Sequence, residues 1–410
     1  MSSTNPRALP PLVEAVHRPW FLLGLTSALA SMAWWLLFWL AALYRPEALS
    51  APPVTPAHVH GLLMSHGLLG FFIFGFLSTV FPRWQDQPAV PRRSWLPGVI
   101  AAALGLGLTL LGLAGSRWVL VAGVLALTLA HALASWPLLR IFLAAGERRV
   151  MHGVASLLGL LGGLGALLVF AWGAAAGDAA LTGAAVRASV WLYLLPIFAA
   201  VGHRMIPFFS GRVVEGYERV RPPLPLALIL AGAFGHTLLG WAGLPAWQWG
   251  PDLLAAGAAG WLTLAWQPLR CLRPPLLGWL HIGFAWLPVS LALSGAQSLG
   301  LLLTGSVFAP QAPLHALTVG FFGTLMVAMV TRVSLGHSGR PLVMSPLARL
   351  AAVGMQGVAL LRIAAELPAT AGMRWSLILA AAGLWLVVTG LWGVAYGPIY
   401  LRPRADGKPG

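Results

Sequence analysis

The stretch of sequence that decides the fold is HVHGLLMSHGLLGFFIFGFLSTVFPRW, residues 58–84. It is almost entirely apolar and long enough to cross the roughly 30 Å of hydrocarbon in a bilayer, which takes about 20 helical residues. Three histidines, His58, His60 and His66, lie in its first third. An imidazole nitrogen in hydrocarbon costs free energy unless it is bonded, so ionisable residues at membrane depth predict a functional role.

The rest of the chain has the same apolar character. Of its 410 residues, 59% are hydrophobic and only 9% are charged, which cannot cover the surface of a soluble protein. Apolar runs of spanning length recur without the alternation that barrel strands show. We therefore predict an all-α polytopic membrane protein with about twelve transmembrane helices in a single domain, residues 1–410. The spans are expected near residues 20–44, 57–82, 96–114, 118–140, 150–172, 181–203, 224–243, 252–270, 276–302, 311–333, 346–366 and 375–399.

The placement of positive charges predicts the orientation, because Lys and Arg accumulate in cytoplasmic loops. Twenty of the 25 Lys and Arg residues fall on the side of the N-terminus, and only Arg45, Arg117 and Arg374 fall opposite. The remaining two, Arg187 and Arg362, lie inside spans. We expect both termini in the cytoplasm and interpret the net charge of +15 as topology. No basic run is interleaved with aromatic residues, so no nucleic-acid partner is expected.

Two further features narrow the chemistry. The polar segment Met1–Arg18 leads into a span too long for a signal peptide, so we expect an uncleaved first helix. Cys271 is the only cysteine, which excludes internal disulfides, cysteine zinc sites, iron–sulfur clusters and covalent haem attachment. Any metal is therefore expected to bind His, Met or oxygen.

The spacing of the histidines predicts more than one centre. A proline two residues before His58 and another two before His315 predict helix starts, which place these histidines at matching depths in two inward-running helices. On a regular helix His58 and His60 point about 200° apart, and His58 and His66 lie roughly 12 Å apart along the axis. Either His58 and His60 flank two centres, or an irregular first turn brings both to one metal while His66 serves another. Imidazole suits copper, iron and zinc alike.

Other buried polar residues leave alternatives open. The depth of Arg187 in the membrane predicts that a haem propionate lies nearby. Alternatively, its side chain snorkels to the interface or pairs with Asp178. Arg362 and Glu366, four residues apart, predict an internal ion pair. His236 stands among Gly and Leu, which favours a structural role. Five histidines of the cytoplasmic half are either structural or members of a second site: His131, His152, His203, His281 and His337.

Three segments make the chain resemble the NnrS family. They are HVHGLLM at 58–64 with GFLSTVFPRW at 75–84, GHRMIPFF at 202–209, and HALTVG at 315–320 continuing into MVTRVSLGHSGRP at 329–341. They fall in spans two, six and ten, in the order that the family shows, so the resemblance covers nearly the whole chain. In one departure, Gly61 follows His60 where many members carry glutamate.

The resemblance implies a haem- and copper-containing protein of the bacterial inner membrane that acts in nitric oxide metabolism and nitrosative-stress tolerance. At the matching positions it implies haem b or copper ligands at His58, His60 and His315, with His203 and His337 as further cofactor-binding residues.

Depth in the membrane adds His66 and Arg187 as cofactor-binding candidates, independently of the resemblance. Three functions stay open. The first is binding or reduction of nitric oxide at a histidine-ligated haem and copper site on the periplasmic third, as in a nitric oxide reductase-like oxidoreductase. The second is copper transport or assembly of a respiratory cofactor. The third is an electron relay from quinol without terminal chemistry. The expected partners are the lipid bilayer, nitric oxide, and quinol or a respiratory enzyme.

Overall fold

The computed structural model describes residues 10–49 and 52–408 of the chain. That part forms helices and no strand, which confirms the all-α prediction. Eleven of the described helices are long and apolar enough to cross a membrane, which confirms a polytopic membrane protein. These eleven helices are numbered in chain order together with one shorter helix, α8. They are α1 (His17–Tyr44), α2 (Pro56–Trp84), α3 (Arg92–Gly112), α4 (Arg117–Ala144), α5 (Met151–Ala176), α6 (Ala179–Val213), α7 (Pro223–Trp241), α8 (Trp249–Ala265), α9 (Pro275–Thr304), α10 (Ala312–His337), α11 (Pro346–Ala364) and α12 (Pro368–Tyr400).

Helix α8 is the predicted span near residues 252–270, but it is shorter and begins and ends earlier. It has 17 residues, about 26 Å of helix at 1.5 Å per residue. Gln267, with φ of 50°, and the following Pro268 stop it from continuing. A short helix, Pro268–Cys271, then leads towards α9.

The two ends of the described chain lie at the same end of the helix bundle. Nη1 of Arg18, at the start of α1, donates to the backbone oxygen of Arg402 after α12, at 3.1 Å. The ring of His17 lies 5.0 Å from that of His337. Eleven crossings would put the two ends on opposite sides, so α8 completes an even number of crossings in the described part. The cytoplasmic placement of this end, and the single domain over residues 1–410, stay predictions.

Three helices, α2, α6 and α10, form the buried centre of the bundle. The most apolar stretch of each is 83%, 78% and 83% buried, against at most 56% in the other eight long helices that the structure describes. The outer helices turn large apolar side chains such as Leu104, Trp172 and Leu264 outwards. The central helices carry the three sequence segments singled out above.

Each central helix widens into a π-helical stretch. These stretches are Leu63–Leu69 in α2, Ser189–Leu194 in α6 and Ala316–Gly323 in α10, and the first two are in contact. π-helical turns are rare and occur frequently at functional sites. Because His66 lies inside the first stretch, the regular helical angles assumed for it do not hold. They hold for the α-helical turns Pro56–Leu62 that carry His58 and His60.

Arginines at the end that holds the chain termini lie over aromatic rings. The guanidinium carbon of Arg204 is 5.1 Å from the ring centre of Trp84, and that of Arg332 is 4.0 Å from the ring centre of Phe209. Cation–π contacts of this kind let a guanidinium sit at the edge of an apolar bundle. This is the arginine-rich end that the sequence predicts.

Candidate cofactor site

His60 and His315 lie near each other at the end of the bundle opposite the chain termini, each close to the start of its helix. The ring of His60 stacks on Trp35 of α1, with centroids 4.4 Å apart and planes 15° apart. Nδ1 of His60 is buried and meets no hydrogen-bond partner among the described residues. Nδ1 of His315 donates to the backbone oxygen of Gln311 at 2.9 Å. In the neutral ring this leaves Nε2 of His315 with a lone pair.

Arg362 of α11 faces both imidazoles. The predicted ion pair is confirmed, since Nη2 of Arg362 lies 3.2 Å from Oε1 of Glu366, and Arg374 reaches the other oxygen at 3.5 Å. Nη1 of Arg362, however, is buried without a hydrogen-bond partner in the part of the chain that the structure describes. A buried N–H donor costs free energy unless it meets an acceptor. The sequence indicated the ion pair but not the position of Arg362 beside the histidines.

His58 points to a different neighbour from His60. Its Nδ1 lies 2.9 Å from Oγ1 of Thr182 in α6. A Cβ atom added to Gly183 would lie 3.1 Å from the His58 ring and 3.5 Å from Nη1 of Arg187, so these side chains share one narrow space. The structure thus places His58 beside α6 and His60 beside α1 and α11.

Arg187 does not pair with Asp178. The Asp178 carboxylate caps α6 instead, accepting the backbone N–H groups of Ala180 and Leu181 at 2.8 and 3.1 Å. The Arg187 side chain is exposed from the bundle and forms no ion pair within residues 10–49 and 52–408. Its role as a propionate partner stays a prediction.

Gly61, after His60, is glycine for a steric reason. A Cβ atom here would lie 2.5 Å from Cγ1 of Val186 in α6. A glutamate at this position would therefore collide with α6 unless Val186 moved away.

The three histidines predicted as metal ligands do not meet at one point. No group of three His, Cys, Asp or Glu side chains able to hold a metal ion occurs among the residues described. His60 and His315 lie at the same end of the bundle near Arg362, whereas His58 lies on the other face of α2.

His66 lies deeper than the sequence suggested. It is ten residues into α2, about 15 Å from the start of the helix, which is half the thickness of the hydrocarbon layer. Its Nε2 lies 2.8 Å from Oγ of Ser189, and its ring stacks on Tyr193 with centroids 4.9 Å apart. The ring of His131, from α4, is 5.9 Å away. His66 and His131 therefore meet near the middle of the membrane, although the sequence placed them in different halves.

His203 and His337 belong to two other clusters at the arginine-rich end. His203 is hydrogen-bonded to His152 at 2.9 Å and to the backbone oxygen of Pro222 at 3.0 Å. His337 packs against His17, a buried histidine that sequence reasoning missed. Neither lies with His60 and His315. The position of His17 beside Arg18, at the start of the first span, is the sequence feature that could have indicated a buried polar site here.

An apolar cavity of about 40 Å³ lies between the three central helices. Its lining includes Phe72 and Phe76 of α2, Phe198 of α6, and Met326 and Met329 of α10. Cavities with apolar walls stay dry and accept small uncharged molecules. A diatomic gas is of the size and polarity that this space admits.

The family model described as NnrS protein matches residues 11–404 of this 410-residue chain. No curated protein matches it.

Proposed function

Since this chain belongs to the NnrS family of nitric-oxide-related membrane proteins, we propose that it binds haem b and copper and takes up nitric oxide at a histidine-ligated centre. The haem is proposed to lie between His60 and His315, on the periplasmic third of the bacterial inner membrane. Binding of nitric oxide is the core of the proposal, and its reduction is one outcome of the test below.

The observation that carries the proposal is a set of polar atoms without partners at one end of the bundle. Nδ1 of His60 and Nη1 of Arg362 are buried without hydrogen-bond partners among the described residues, and Nε2 of His315 keeps a lone pair. Imidazole nitrogens are ordinary ligands of haem iron, and haem propionates accept hydrogen bonds from a guanidinium. The residues present therefore fit a haem.

Each residue has a distinct task in this arrangement. His60 and His315 would hold the haem iron, and an uncharged diatomic ligand would bind there only in exchange for one of the two imidazoles. Trp35 stacks on His60 and fixes the plane of its ring. Arg362 would bind a propionate while Glu366 holds its other nitrogen. About 18 Å further along α2 than His60, the separate apolar cavity lined by Phe72 and Phe198 would admit nitric oxide to the interior of the bundle.

The decisive experiment is an optical spectrum of the full-length protein purified from haem-replete cells. We expect a Soret band that shifts when nitric oxide is added to the reduced protein. The His60→Ala and His315→Ala variants should lose most of this absorbance. His281→Ala is the matched control, because His281 is also buried but bonds Ser210 at 3.0 Å in another part of the bundle.

A colourless wild-type protein would overturn the proposal. Copper uptake by proteoliposomes that contain such a haem-free protein would support the transport alternative instead. Consumption of nitric oxide with a quinol donor would identify a reductase, whereas a spectral shift without consumption would identify a nitric-oxide-binding protein.

A further inference from the structure

His66, His131 and Tyr193 form a polar cluster in the otherwise apolar middle of the bundle, and we refer to them as the His–Tyr cluster. Their ring centroids form a triangle with sides of 4.9 Å (His66 to Tyr193), 5.2 Å (His131 to Tyr193) and 5.9 Å (His66 to His131). Their exposed fractions are only 4%, 3% and 0%. None of the three belongs to the haem site proposed above.

Hydrogen bonding fixes the proton on His66. Oγ of Ser189 donates its proton to the backbone oxygen of Ala185 at 2.9 Å, as a helical serine commonly does. It therefore accepts from His66, whose Nε2 lies 2.8 Å away and must carry the hydrogen. Nδ1 of the neutral ring is then a bare lone pair. It is buried and has no hydrogen-bond partner in the described part of the chain.

His131 is fixed in the same way. Its Nε2 lies 2.8 Å from the backbone oxygen of Leu160, which can only accept, so Nε2 carries the hydrogen and Nδ1 the lone pair. The Tyr193 hydroxyl is also buried, and it too finds no partner within the residues described. The His66 lone pair and the Tyr193 phenol are thus unsatisfied in the interior, where such groups are costly, and the His131 lone pair belongs to the same cluster.

The rings are held in place by close packing. A Cβ atom on Gly163 of α5 would lie 2.7 Å from Cε1 of His131 and 2.8 Å from the Tyr193 ring. Phe74 packs edge-on against His131, with centroids 5.0 Å apart. The lone pairs therefore belong to preorganised side chains rather than to mobile ones.

We propose that Nδ1 of His66 and Nδ1 of His131 bind a copper ion beside the Tyr193 hydroxyl. An ion held about 2 Å from one nitrogen of each ring places the ring centroids roughly 5–6 Å apart, which the observed 5.9 Å matches. Imidazole nitrogens are ordinary ligands of copper. The cluster has no carboxylate to balance charge, which favours the monovalent ion, since burying charge is costly.

This inference rests on the proposed function, because it gives the copper of that proposal a site separate from the haem. The site differs from the predicted metal ligands His58, His60 and His315. It draws on His131, which no pattern along the chain placed beside His66.

The test measures copper and haem in the same preparations of full-length protein, loaded with Cu(I) and freed of excess by a chelator. We expect the His66→Ala and His131→Ala variants to lose copper by about tenfold or more while keeping the haem absorbance. His281→Ala should keep both. The milder His131→Gln variant retains an N–H donor for the Leu160 carbonyl and should also lose copper, which separates ligation from folding.

X-ray absorption of the copper-loaded wild type should show two nitrogen neighbours at about 2 Å. Copper that stays in His131→Ala and His131→Gln, or leaves only with His60→Ala and His315→Ala, would overturn this site. A wild type that carries haem but no copper would overturn it too and leave the haem proposal intact. Copper bound by a haem-free wild type at His66 and His131 would support the site and contradict the haem proposal.

Discussion

Nε2 of His152 in α5 lies 2.9 Å from Nδ1 of His203 in α6, so one hydrogen bond joins the two rings. Since Nε2 of His203 donates to the backbone oxygen of Pro222 at 3.0 Å, its Nδ1 must accept from His152. Both nitrogens of His203 are therefore occupied. The pair ties α5, α6 and the start of α7 together at the arginine-rich end.

We expect His203→Ala to lower the free energy of unfolding by about 1–3 kcal/mol, because His152 is left buried with a donor that has lost its acceptor. The His152→Ala, His203→Ala double variant should cost less than the sum of the two single variants, as coupled partners do. Thermal unfolding in detergent measures all three. Strictly additive effects would show that the two rings do not interact.

Gly163→Ala should disturb the His–Tyr cluster, because the added Cβ atom would meet both His131 and Tyr193. We expect a loss of about 1–3 kcal/mol from overpacking, together with a lower copper content. Gly165→Ala, on the same helix, is the matched control, since nothing lies within 4 Å of its Cβ position. Equal unfolding temperatures and copper contents of the two variants would contradict the packing described around Gly163.

Cys271 should be nearly inert to maleimide in the folded protein. Its side chain is fully buried, and burial raises the pKa of the thiol above its ordinary value, although the Ser210 hydroxyl and the Arg270 charge oppose this. The thiolate is the reactive species, so labelling should be slow at neutral pH and increase only as the pH rises past the ordinary thiol range. Denaturation in detergent should make labelling complete.

A Ser306→Cys variant in a Cys271→Ser background gives the control for that measurement, because Ser306 is exposed after α9. This variant should label quickly at neutral pH. Equal labelling rates for the wild type and the control would show that Cys271 is accessible.

Asp252→Ala should be one of the most destabilising substitutions in the bundle. The buried Asp252 carboxylate accepts from Nδ1 of His236 at 2.8 Å and from Oγ of Ser294 at 2.7 Å. Removing it leaves both donors without an acceptor, and we expect a loss of about 3 kcal/mol in the free energy of unfolding.

Ser294→Ala removes only one of these bonds and should cost about 1 kcal/mol. Thermal unfolding of the two variants in the same detergent gives the comparison. If Asp252→Ala lowers the free energy of unfolding no more than Ser294→Ala does, the Asp252 carboxylate does not link α7 to α9.

The positions of the spans follow from sequence because hydrophobic length is a local property. The span expected near residues 276–302 is observed as Pro275–Thr304, and the helix begins at a proline, which favours the first position of a helix. Helix α8 ends early because Gln267 adopts a left-handed conformation before Pro268, a backbone choice that a hydropathy window does not register. The opposed directions of His58 and His60 also followed from helical geometry, since both lie on regular turns.

The same reasoning does not predict contacts between helices that are distant in sequence. His236 was expected to stand alone, yet it stacks on Trp191 at 3.5 Å and pairs with Asp252. His66 meets His131 because two helices cross there, and no periodicity within either helix reports that crossing. Side-chain pairing depends on how the helices pack, which the pattern along one helix does not determine.

The π-helical stretch Leu63–Leu69 has a consequence for how this protein can change over evolution. A wide turn of this kind holds one more residue than an α-helical turn, so deleting a single residue from it would restore a regular helix. The deletion would swing His58 and His60 by about 100° relative to the remainder of α2. In homologous sequences, a one-residue gap at this place would therefore mark loss of the site even where every histidine is still present.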